Sequence, residues 1–140
     1  MTFKLGTIGW PADPREACDL YTGCVLLVVE RCGLVFDDAL GNPRELAARR
    51  LAGEVSEEQI EQARNALWDF IASRRAFGHT TEREPVMARL ALSLLPELAL
   101  GDWSRNLDHV LDLLQRLGRA RAEPFGWMAQ YFASGSCSNG

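Results

Sequence analysis

The sequence predicts an all-α protein, a single-domain bundle of about six helices with an extended N-terminal arm and a flexible C-terminal tail. Three observations carry this reading. Apolar residues recur at helical spacing over long windows, with no alternating strand pair and no hairpin signal. Prolines and capping side chains stand where helices would open, and glycines where they would close. The connecting stretches are short, which favours helix packed on helix. A helical domain is expected over residues 1–134, followed by a small-residue tail, SGSCSNG, flexible over 135–140.

The first fourteen residues, broken by Gly6, Gly9, Pro11 and Pro14, read as an arm packed through Phe3, Ile8 and Trp10. Asp13 then resembles an N-cap with Pro14 at the first helical position, and Gly33 a stop, so a helix is expected from Pro14 to Cys32. Its middle, CVLLVVE at residues 24–30, is apolar all round. Length favours a buried helix there and the valines favour a strand. The sequence leaves the two open.

Asn42 and Pro43 open a short helix to about Ala52, closed by Gly53. Ser56 with Gln59 makes a capping box. The helix it starts, residues 56–77, carries Ile60, Ala63, Leu67, Phe70, Ile71 and Phe77 on one face. Gly78 ends it, and a loop containing His79 and Thr81 follows. From Val86 to Leu95 nearly every residue is apolar, with Arg89, Ser93 and Glu97 as a polar line at steps of four; Pro96 should end or kink this helix. Asp102 caps an amphipathic helix from Trp103 to Leu117, and a last helix runs from about Pro124 to Ala133.

Composition narrows the function. The formal net charge is −4, and the cations are one lysine and fourteen arginines. General nucleic-acid binding needs a basic footprint, so none is expected. The N-terminus has no signal-peptide core, and Asp19, Glu30 and Arg31 interrupt the longest apolar stretch, so no membrane span is expected and the cytoplasm is the default compartment. Cys18, Cys24 and Cys32 point different ways around a helix and have no neighbouring histidine, which suits buried thiols rather than a metal site; Cys137 lies in the tail.

No nucleotide-loop, nucleophile-elbow or metalloprotease motif occurs, so the chain is not expected to be an enzyme, and no metal or cofactor is implied. The one constellation with chemical potential is Asp108, His109 and Asp112, which lacks a further ligand and reads as a solvated face. Asp37 and Asp38 are adjacent in a turn, where an Asx-turn role is the natural one.

Residues 51–75, LAGEVSEEQIEQARNALWDFIASRR, place four glutamates within eight positions. With Ile60 at zero on a helical wheel, Glu57, Glu61 and Glu58 fall at about 60°, 100° and 160°, and Glu54 at about 120° where the helix geometry extends back to it. Trp68 falls at about 80°, in line with them and off the apolar face. Of the closing pair, Arg75 lies beside this stripe and Arg74 along the apolar side. Acids in a first turn are favoured by the helix dipole alone. They do not explain a stripe that continues to a tryptophan.

Residues 44–75, from RELAARR through GEVS to ARNALW, resemble small all-helical bacterial toxin-immunity proteins, in which a short Arg/Ala helix leads through a Gly-Glu-[Ile/Val]-Ser turn into an Ala-Arg-x-Ala-x-Trp helix. The resemblance implies a cytoplasmic protein that binds and blocks one cognate toxin, with no catalytic residues of its own. The partner-binding residues expected are Glu54, Glu57, Glu58, Glu61 and Trp68, with Asp37 and Asp38 as neighbours, facing a toxin whose active-site cleft is basic. Charge reversal at Glu57 and Glu61 is expected to weaken binding and spare the fold. The alternative is a helical adaptor or chaperone-like module holding a partner helix in an apolar groove.

Overall fold

A computed structural model describes residues 3–73, 83–99 and 101–137, with side chains as far as residue 133. Six α-helices and no strand occur among the described residues: α1, Pro14–Cys32; α2, Pro43–Leu51; α3, Glu57–Ser73; α4, Arg83–Leu94; α5, Trp103–Arg116; and α6, Ala122–Cys137. Short 3₁₀ turns at Leu5–Thr7 and Asp38–Leu40 complete the order.

α1 settles the ambiguity over residues 24–30 in favour of the helix. Val25, Leu26, Val28 and Val29 are all buried because α2, α4, α5 and α6 surround this helix, so its valines find partners on every side. Gly33 ends it in the left-handed conformation, at a φ of 66°. Asp13 holds the N-cap position without accepting a side-chain hydrogen bond.

Other boundaries follow their caps. The Asn42 side chain accepts from the Glu45 backbone at the start of α2, and Asp102 accepts from that of Arg105 at the start of α5. The capping box of α3 closes in both directions: Ser56 Oγ accepts from the Gln59 backbone N–H at 3.1 Å, and Gln59 Oε1 accepts from that of Ser56 at 2.8 Å. α4 starts at Arg83, three residues before the expected Val86, and stops at Leu94, ahead of Pro96. α6 starts at Ala122 and continues to Cys137, so the expected tail is helical over 135–137. The end of the expected 56–77 helix, Arg74 and Arg75 with it, the His79 loop and residues 138–140 lie outside the described residues.

One continuous apolar cluster runs through the bundle. Tyr21 stands at its centre. Its hydroxyl donates to the Ser93 carbonyl at 2.8 Å and accepts from Asn106 Nδ2 at 2.6 Å, joining α1, α4 and α5 by one buried polar atom with both partners met. Burial pushes the Tyr21 phenol well above its usual range. The N-terminal arm packs as expected: Trp10 sets its ring against Trp103 and Phe132, and its Nε1 donates to Ser104 Oγ, which donates in turn to the Leu5 carbonyl.

α3 is open to solvent along one side. It packs chiefly on α4 and, on one flank, on the Asp38–Leu40 turn. Ile60, Leu67 and Ile71 are its fully buried residues, and the opposite side is left to solvent.

Candidate protein-binding face

Two arginines that precede or lie on α3 define what its acids are free to do. Arg50, at the end of α2, has a fully buried side chain. Its Nη1 donates to the Pro96 carbonyl at 2.6 Å, while Nε and Nη2 both reach the Glu57 carboxylate. Arg15 from α1 donates to the same carboxylate at 3.0 Å. Arg64 on α3 turns inward and donates to the carbonyls of Leu95 and Leu92, at 2.6 and 3.3 Å. Both cations thus answer carbonyls at and just beyond the C-terminal end of α4, where a helix lacks donors of its own and favours positive charge. Burial lowers the Arg64 pKa, and Glu97 opposes that effect.

Glu57 is therefore placed differently from the other glutamates. Its carboxylate is the counterion of a buried arginine, and the expectation that its charge can be reversed without harm to the fold does not hold. Nor does Arg64 pair with Glu61, as their i, i+3 spacing suggests; its nearest carboxylate is that of Glu97, at 3.7 Å.

Glu54, Glu58 and Glu61 are exposed, as is Asp69 further along. Glu54 makes one loose ion pair with Arg49, at 3.7 Å. Every fully exposed charged residue on the described length of α3 is acidic. Trp68 lies among them with 46% of its surface exposed, the most of any aromatic side chain described.

Trp68 forms a ridge between two depressions. One, of about 400 Å³, lies between α3 and residues 97–99 and is lined by Ile60, Glu61, Arg64, Trp68, Glu97 and Leu98 among others. The second, of about 260 Å³, lies toward α5 and is bordered by Arg89, Ser93, Asn106 and His109, and it shares Arg64, Trp68 and Glu97 with the first. The wheel gave no reason to bring Glu97 to this face. Pro96 lies beyond the end of α4, yet Glu97 still borders the same depression as Arg89 and Ser93, and it borders the groove beside Glu61 as well.

Asp37 and Asp38 are not neighbours of the stripe. Their turn packs on the flank of α3 that carries Ala63, Ala66 and Phe70, which is turned away from Glu61 and Trp68. Asp37 accepts from the Ala39 backbone at 2.9 Å, the Asx-turn role expected of it.

The chain matches no family model, no curated protein and no solved structure.

The remaining sites carry less chemistry. Arg121 spans Asp108 and Asp112, at 3.0 Å to the second, so these carboxylates clasp α5 to the start of α6. Among the described residues no three His, Cys, Asp or Glu side chains are grouped as metal ligands would be. Cys18, Cys24 and Cys32 are free and buried. Among the described residues no helix is long and apolar enough to cross a membrane.

Proposed function

We propose that this protein works by binding another protein through the outer face of α3, and that it is a cytoplasmic bacterial immunity protein that neutralises a toxin by covering a basic active-site cleft. The observation that carries the reading is Trp68, half exposed in the middle of a helix face whose exposed charges are all negative. An aromatic side chain that can be fully desolvated, rimmed by charge, is the usual composition of a binding hot spot. The acids supply complementarity to a phosphate-binding cleft and speed encounter with it. The binding set proposed is Glu58, Glu61 and Trp68 on α3, with Glu54 on the loop that precedes it. Glu57 holds α3 to the body rather than the partner to α3.

Titration of the purified chain with the product of the gene adjacent to its own tests this. Trp68→Ala should weaken binding by about 30-fold, a cost of about 2 kcal/mol. Glu58→Arg with Glu61→Arg should weaken it further and flatten its salt dependence, with the helical circular dichroism unchanged. Unchanged affinity in both variants rejects the proposal.

A second reading has its own observation. A largely apolar groove of about 570 Å³ lies between the N-terminal arm and α6, lined by Phe3, Ile8, Pro11, Leu20 and Phe132 among others, and suits an adaptor that holds an apolar segment. Ionic strength separates the two, because acidic-face binding weakens steeply with salt and apolar-groove binding does not.

A further inference from the structure

The groove between α3 and residues 97–99 has the chemistry to receive one particular side chain. Its floor is apolar, with Ile60 buried below and Leu98 part-buried at the side. The Trp68 ring forms one wall. Carboxylates stand on two of its borders: Glu61 on α3, and Glu97 on the segment after α4. Glu61 makes no ion pair or hydrogen bond among the described residues, and Glu97, whose side chain is 69% exposed, shares only the 3.7 Å contact with Arg64. The other charged groups that line the groove are already engaged. Arg64 is turned onto the carbonyls of Leu92 and Leu95, and Glu57 onto Arg50 and Arg15.

From this arrangement we infer that the groove binds an arginine side chain of the partner, stacked on Trp68, with its guanidinium held between Glu61 and Glu97. The inference rests on the α3 face being the docking surface and specifies what it recognises there. An arginine has an aliphatic stem that an apolar floor accepts, and a planar cation suited both to an indole face and to carboxylates on two sides. A lysine offers a compact, strongly hydrated charge that uses the ring and the second carboxylate less well. Glu61 is what separates this groove from the depression on the other side of Trp68, which Glu97 also borders but where Arg89 and His109 stand in place of a second carboxylate.

The probe is N-acetyl-arginine amide, followed by nuclear magnetic resonance at the Trp68 indole N–H and the Leu98 backbone amide. A saturable shift at both is expected, several-fold weaker affinity for N-acetyl-lysine amide, and no response to the uncharged N-acetyl-citrulline amide. Glu97→Gln, a change at an exposed residue outside any helix, should abolish the arginine response. Absence of a saturable shift, or an equal response to citrulline, overturns the inference. With the protein partner, Glu58→Gln reads the face and Glu97→Gln reads the groove. Loss of affinity in both supports the inference. Loss in the first alone overturns the arginine groove and leaves the binding face standing, and loss in neither removes both.

Discussion

The Arg50 guanidinium, wholly buried, is held by both oxygens of the Glu57 carboxylate, seven residues further along the chain. Removing Glu57 leaves the Arg50 charge without its counterion in a site that water does not reach, which costs more than the pair contributes when intact, and removing Arg50 leaves a cavity and takes the donor from the Pro96 carbonyl. Glu57→Arg or Arg50→Ala should each destabilise the protein by about 3 kcal/mol. Urea denaturation followed by circular dichroism reads this directly, and Glu58→Arg on the same turn, with no such partner, should shift the midpoint by less than about 0.5 kcal/mol.

Gly23 in α1 exists for the sake of Tyr131. A Cβ at that position would fall on the Tyr131 hydroxyl, approaching from α6. Gly23→Ala should therefore destabilise by about 1–2 kcal/mol through overpacking, against the usual gain for alanine in a helix. In the Tyr131→Phe background the clash is removed and the same substitution should become neutral or stabilising. A thermal-melt double-mutant cycle that showed simple additivity would refute this contact.

Burial pushes the Cys24 thiol up to about 12, and raises those of Cys18 and Cys32 as well. At neutral pH these side chains are thiols rather than thiolates and lie out of reach of reagents. Iodoacetamide followed by peptide mapping should leave all three unmodified in the native protein and label them at once in guanidinium. Labelling of Cys24 under native conditions would contradict its place in the core.

His109 has its pKa lowered by burial, with Asp112 and Asp108 pulling it up and Arg89 and Arg116 pushing it down. The unfolded chain therefore takes up the proton at a higher pH than the folded one. Stability from this group is complete above the ordinary value of 6.5 and is lost as the pH falls below it toward the folded value. His109 lies at the surface of α5 with its ring only partly covered, so the loss is small. Urea midpoints measured between pH 5 and 7 should fall toward acid, and His109→Gln should remove that part of the slope.

Much of this architecture is legible in the sequence because its helices are punctuated. Gly33, Asn42 with Pro43, Ser56 with Gln59, and Asp102 each mark a boundary by a local rule that needs no tertiary contact. Trp68 is legible too, since its wheel position alone puts it off the apolar face. What the wheel cannot carry is commitment to a partner on another helix. Glu57 looks equivalent to Glu61 until Arg50 and Arg15, from α2 and α1, arrive at it. Arg64 looks like a surface partner for Glu61 until the end of α4 is placed beneath it. Glu97 is hidden for a related reason: it does lie beside Arg89 and Ser93, but nothing on the wheel of α4 brings it to Glu61 on α3.

α3 leans on the rest of the molecule chiefly through α4, by a short line of buried residues and one ion-paired end. Its outer positions owe nothing to the core. Substitutions at Glu58, Glu61, Asn65 and Asp69 should each leave stability within about 0.5 kcal/mol, so natural selection can revise them one at a time without risking the fold. Under the proposed function, a lineage carrying this scaffold could exchange one partner for another by drift along a single helix, with the other five held constant.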